Sequence, residues 1–191
     1  MIEYEKRFKL TDKEYANILA GSISWSDPTT VTDITFGLSG ATSMQTHGWV
    51  VRVRKKRGKV IVDYKAPIDK DWTQWEEIAM EVSDFSSAIS FFMKIGLKPG
   101  LVLERERREA LMGGVSLSID DFKYLGKFIE IEVDGENDRT KTLFNNSISS
   151  LGLGNKTPQK PYGSLLLEKM NNSADIKNQI EQYVSELSTE R

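Results

Sequence analysis

In IEYEKRFKL (2 to 10), Ile2, Tyr4 and Phe8 alternate with Glu3, Glu5 and Arg7. Period-two alternation of this kind predicts a β-strand with one apolar and one charged face. Thr11 and Asp12, followed by Glu14, carry a helix-start signature and predict a helix over residues 12 to 20. After a loop with Gly21, Asp27 and Pro28, TTVTDITF (29 to 36) is rich in β-branched residues and predicts a second strand. GLSGATSMQTHG (37 to 48) is small and polar; it is expected as a flexible connection, with His47 a loop residue.

WVVRVRKKRGKVIVDYK reads as a hairpin that turns around Arg57 and Gly58, and TQWEEIAMEV (73 to 82) as a further strand. In DFSSAISFFMKIGL (84 to 97), Phe85, Ala88, Ile89, Phe92 and Met93 recur at helical spacing behind Asp84 as N-cap. Strands follow at 101 to 111, 115 to 121 and 127 to 134, with turns at Gly113 and Gly114 and at Leu125 and Gly126. Helices are expected over 138 to 151, near 161 to 170, and in a last segment with Ile176, Ile180, Tyr183, Val184 and Leu187 on one side. Eight mostly antiparallel strands with helices between and after them predict an α+β fold: an eight-stranded antiparallel β-barrel with flanking and C-terminal helices.

The charged faces repeat like charges. Arg52 and Arg54 share a face, as do Glu77 and Glu81, Arg105 and Arg107, and Glu130 and Glu132; Asp63 shares one with Lys65. In ordinary solvated strands one wet face would mix charges and neutral polar groups. Like charges about 6 Å apart repel by roughly 3 kcal/mol at an effective dielectric near 20. A ligand carrying both signs in separate places relieves that repulsion. A polyphosphate with a divalent metal is such a ligand: arginine and lysine suit phosphate oxygens, and carboxylates suit Mg²⁺ or Mn²⁺.

Composition narrows the chemistry further. The 191 residues suffice for one sizeable core, and 28 acidic against 26 basic residues give no global pull toward nucleic acid or an anionic membrane. The absence of cysteine excludes thiolate chemistry and zinc–thiolate sites, and a single histidine argues against a His-rich metal centre or a Ser-His-Asp triad. No apolar run reaches the length of a membrane span and the chain opens on a charged strand, so a cytoplasmic protein is expected.

These features resemble the CYTH-domain proteins, the triphosphate tunnel metalloenzymes, which include class IV adenylyl cyclases and thiamine triphosphatases. The resemblance runs in order over about residues 1 to 134. EYEKR (3 to 7) is similar to the family's E-x-E-x-K, TDITF to D-x-Y-F at Asp33 to Phe36, and VVRVRKK to L-R-I-R. VDYKAP is similar to T-Y-K-G-P, EEIAMEV to a glutamate-bearing strand, and RERR (105 to 108) to K-x-R-R. SIDDFKYLGKFIEIEVDG is close to L-D-x-V-x-x-L-G-x-F-x-E-I-E, and KPYGSLLLE (160 to 168) resembles the S-Y-x-x-L-L helix that closes the domain.

The resemblance implies a hydrophilic barrel tunnel that acts on triphosphates with Mg²⁺ or Mn²⁺. It assigns metal binding to Glu3, Glu5, Glu77, Asp120, Glu130 and Glu132, and phosphate contacts to Arg52, Arg54, Lys65, Arg105 and Arg107. The catalytic set is Glu5, Arg7 and Glu132; Arg7 replaces the family's lysine and is too basic to serve readily as a general base. The tunnel domain is expected over 1–170, with 171–191 a C-terminal helix packing on or extending it. The expected activity is hydrolysis of inorganic, thiamine or nucleoside triphosphate, ahead of adenylyl cyclisation or non-catalytic polyphosphate binding. The expected partner is a small-molecule triphosphate, with no nucleic acid and no membrane, acting on a monomer or homodimer. Tyr162 is expected to pack its helix rather than face the tunnel mouth, and Trp49, Trp72 and Trp75 to lie outside the barrel or against helices.

Overall fold

The computed structural model describes residues 2–135 and 137–189. Residues 1, 190 and 191, at the ends of the two spans expected above, lie outside the described residues. The strands are β1 (Ile2–Lys9), β2 (Thr29–Gly37), β3 (Val50–Lys56), β4 (Lys59–Pro67), β5 (Gln74–Val82), β6 (Lys98–Met112), β7 (Val115–Phe122) and β8 (Gly126–Asp134). They form one closed barrel in the order β1-β5-β4-β3-β2-β6-β7-β8, with β8 pairing back to β1 and antiparallel neighbours throughout. The helices are α1 (Asp12–Leu19), α2 (Ser43–His47), α3 (Phe85–Lys94), α4 (Asp138–Ser150), α5 (Tyr162–Asn172) and α6 (Ala174–Thr189).

Local signals account for the helix starts. Thr11 and Glu14 form a reciprocal capping box at α1, and the Asp84 carboxylate accepts from the Ser87 N–H at α3. The apolar strand faces point outward, and the helices cover them. Phe8, Val115, Leu117, Ile119, Ile129, Ile131 and Val133 are buried together with Phe144 of α4, and Tyr15, Ile18 and Leu19 of α1 pack on them. Ile34, Phe36, Val53, Val60 and Val62 are buried together with Ile89 of α3, and Tyr183, Val184 and Leu187 of α6 pack on them. Much of the core therefore lies outside the barrel wall, and inside it the charged residues are joined by a few apolar ones, among them Leu101 and Leu103.

Two expectations change. Residues 37 to 48 are not a flexible connection: they hold a 3₁₀ turn (Gly40–Thr42) and α2, and His47 ends a helix rather than sitting in a loop. Small residues make this possible, because a Cβ on Gly37 would lie 2.4 Å from Ser43 Oγ and one on Gly100 would lie 2.7 Å from the Gly40 carbonyl carbon. The segment is therefore pressed directly onto β2 and β6. On β5 the apolar positions Ile78 and Met80 are 56% and 58% exposed, so this part of the wall turns apolar side chains to the surface.

Candidate functional site

The closed barrel encloses a cavity of about 330 Å³, and every residue assigned above to phosphate, metal or catalysis lines it except Asp120. In LERERRE it is the arginine face that turns inward: Arg105 and Arg107 are buried, while Glu106 is exposed. Register then sets which charges meet.

On one side, arginines face aspartates across neighbouring strands. Arg52 lies opposite Asp63, Arg54 opposite Asp33, and Arg107 opposite Asp120. Arg54 grips Asp33 through two hydrogen bonds of 2.7 and 2.9 Å, and Arg107 grips Asp120 through two of 2.7 Å. Arg52 donates twice to Asp63 Oδ2, at 2.9 and 2.7 Å, and Arg105 donates to Asp33 at 2.9 Å. Burial pushes the Asp33 carboxyl up, but Arg105, Arg54 and Arg52 outweigh it and hold the pKa well below the usual carboxylate range. The arginines are thus anchored from behind, which preorganises their remaining N–H donors.

On the other side, carboxylates meet one another. Glu5 lies directly opposite Glu132 across β1 and β8, the arrangement that antiparallel sheets disfavour. Oxygen atoms of Glu3, Glu5 and Glu132 come within 4.8 Å of one another. Burial raises the Glu132 carboxyl to about 7, with Glu130 and Glu5 adding to the rise. Glu3 is raised to about 8, first by burial and then, against the pull of Lys65, by Glu132 and Glu77. A hard divalent cation takes oxygen ligands in such a setting, so this donor set fits Mg²⁺ or Mn²⁺.

The remaining assigned residues bridge the two sides. Lys65 Nζ is 2.6 Å from Glu77 and 3.6 Å from Glu3. Burial favours the neutral Glu77 acid, but Lys65 and then Arg52 outweigh it and bring its pKa down to about 2. Glu130 lies opposite Arg7, with Oε2 3.4 Å from Arg7 Nε and Oε1 3.3 Å from Arg107. Its pKa also falls to about 2, because Arg107 and Arg7 overcome the effect of burial. Arg7 also pairs with Glu5. Among the described residues, the carboxylates that come within 4.8 Å of one another are those of Glu3, Glu5 and Glu132, and not those of Glu77, Asp120 or Glu130; Glu3 and Glu5 also have cationic neighbours, in Lys65 and Arg7.

The sequence reading passed over several lining or supporting residues. Asp33 and Asp63 hold the arginines, yet strand pairing is what reveals it. Trp75 is not on the exterior: it is buried, lines the cavity, and its ring centroid lies 5.4 Å from Lys65 Nζ. A signal was available, since alternation places Trp75 on the same face as Glu77. Tyr162 both packs and faces inward, as its ring lies 4.5 Å from Phe122 and 5.2 Å from the Arg7 guanidinium carbon. His47 Nε2 sits 2.9 Å from Ser39 Oγ.

The family model of the CYTH domain matches residues 1–159. The chain belongs to the CYTH domain family. A protein of Methanocaldococcus jannaschii, named as a candidate adenylate cyclase, is 32% identical over 96 residues, which cover 49% of this chain and 55% of that one. The match thus spans only about half the length of that relative. A solved structure from Pyrococcus horikoshii superposes with a TM-score of 0.75 at 25% identity, covering 85% of this CYTH protein and 98% of the other. A Hippeastrum protein, described as a candidate adenylyl cyclase with a dominant triphosphatase activity, shares the fold at a TM-score of 0.57 and 15% identity, covering 80% of this chain and 88% of that one. Among the described residues, no helix is long and apolar enough to cross a membrane.

Proposed function

We propose that this CYTH protein hydrolyses a triphosphate with the help of Mg²⁺ or Mn²⁺ inside its barrel. The observation that carries this reading is the division of one cavity into an arginine–lysine side and a group of mutually close carboxylates. A triphosphate with its metal presents the matching charges in one ligand. Glu3, Glu5 and Glu132 would hold the ion, which lowers the charge of the phosphate chain and polarises its oxygens.

The protein's own groups do the rest. Arg52, Arg54, Arg105, Arg107 and Lys65 bind phosphate oxygens and stabilise the charge that moves onto the leaving group. Arg7 stays protonated: burial opposes its charge, but Glu5 and Glu130 outweigh it and raise its pKa. Its part is electrostatic, and the proton of the attacking water passes to a carboxylate, Glu5 or Glu132, or to solvent. Water adds to phosphorus as the bridging P–O bond breaks, giving orthophosphate and the shortened phosphate.

The name of the M. jannaschii relative supports a second reading, cyclisation of ATP to cyclic AMP and pyrophosphate. Incubation with inorganic triphosphate, thiamine triphosphate and ATP in parallel, with Mg²⁺ or Mn²⁺ and with EDTA, separates the two. Metal-dependent orthophosphate release, lost in Glu132→Gln, is the expected result. Cyclic AMP with pyrophosphate as the only products would replace the hydrolase by the cyclase. Tight binding without any product would leave a binding module.

A further inference from the structure

Tyr162 is the first residue of α5, and its ring is wedged among Phe122, Phe128 and the Arg7 guanidinium, at 4.5, 5.3 and 5.2 Å. Its hydroxyl oxygen is buried and has no hydrogen-bond partner. Leaving such a group unpaired costs about 1–3 kcal/mol, so a site that tolerates it invites a partner from outside the chain. Burial first, then Glu130 and Asp120, holds the hydroxyl pKa well above its usual value, so the group keeps its proton and acts as a donor. Both carboxylates are already engaged by Arg107.

The start of α5 adds to this. It carries no side-chain cap: Pro161 occupies the N-cap position, and its carbonyl accepts from the Leu165 N–H at 3.0 Å. Gly163 and Ser164, in the first turn, line the same cavity as the arginines. An uncapped first turn favours an anion through its free N–H groups and the positive end of the helix dipole. Along β1 the residues run Glu3, Glu5, Arg7, so the close carboxylates lie toward one end and Arg7, against Tyr162, toward the other.

We propose that the Tyr162 hydroxyl and the uncapped first turn of α5, next to Arg7, form an oxyanion subsite that takes one phosphoryl group of a polyphosphate chain. The subsite rests on the triphosphate reading and gives that ligand a direction: metal-bearing phosphates toward Glu3, Glu5 and Glu132, and one phosphoryl group at α5. Tyr162 is a binding residue here, not a proton-transfer group.

The test is calorimetric titration of the full chain with inorganic triphosphate, with and without Mg²⁺, for wild type and Tyr162→Phe, alongside thermal melting of both. Tyr162→Phe is expected to weaken triphosphate binding about tenfold, the scale of one hydrogen bond to a charged group. Its ligand-free melting temperature should equal or exceed that of wild type, because the variant removes an unpaired buried hydroxyl. Equal affinity in the two proteins would overturn the subsite while leaving the triphosphate reading intact. A lower ligand-free melting temperature with unchanged affinity would assign Tyr162 to packing alone and also overturn it. Wild type that binds no triphosphate in either condition would remove the triphosphate reading, and the subsite with it.

Discussion

Across β2, β3 and β4, and again across β6 and β7, arginine faces aspartate: Arg52 with Asp63, Arg54 with Asp33, Arg107 with Asp120. Across β1 and β8, the same barrel sets Glu5 against Glu132. The first region is neutralised by its own strands, so its arginines are held in place before any ligand arrives. In the second, like charges meet across the strands, and burial raises the carboxyl groups of Glu132 and Glu3 to about 7 and about 8. Antiparallel pairing in one barrel thus yields ion-paired arginines on one wall and a crowded group of carboxyls on the other.

The sharpest way to break this comparison is to unbalance the finished wall. Arg107→Met leaves Asp120, which is 0% exposed, without its bidentate partner. Removing one partner of a buried pair costs about 3–5 kcal/mol, so a large fall in melting temperature is expected. Combining it with Asp120→Leu should recover most of that loss, because two apolar groups replace the pair. A double variant as unstable as the single one would show that Asp120 is not held chiefly by Arg107.

The acidic wall should respond in the opposite direction. Glu132 is raised from 4.5 to about 7, and Glu3 to about 8, in both cases chiefly by burial. Between the ordinary and the raised values the folded chain binds more protons than the unfolded one, so metal-free stability falls as pH rises from about 4.5 toward 8. Glu132→Gln should flatten that fall and stabilise the metal-free protein by about 1–3 kcal/mol at pH 8. Denaturant melts at pH 5 and pH 8 read it directly; a variant less stable than wild type at pH 8 would contradict the crowding of the acidic wall.

The smallest effect belongs to a solvent-exposed pair. Lys59 and Glu81 pair at 3.0 Å, with side chains 66% and 57% exposed. Lys59→Ala should change stability by about 0.5 kcal/mol or less, as exposed pairs do, and leave turnover unchanged. A larger change would show that exposed charge matters as much as buried charge.

Much of this architecture was legible along the chain. Alternation placed Glu3, Glu5 and Arg7 on one face, placed Arg52 with Arg54, and located the strands and turns of the barrel, because side-chain direction along a strand follows residue parity alone. Motif order pointed to the CYTH family. Segment 37–48 was misread because smallness and polarity suggest flexibility. There the small residues Gly37 and Gly40, with Gly100 on β6, admit close backbone packing, which depends on what lies opposite.

The sequence by itself determined which residues share a face and which charges a wall carries. Only the tertiary structure decided which charge meets which. Whether Arg107 finds Asp120, and whether Glu5 finds Glu132 or a cation, depends on strand order and register, which are long-range. Closure of the barrel also sends the apolar faces outward to the helices and the charged faces inward. Parity within a strand cannot choose between those two directions; the helices that bury one face make the choice.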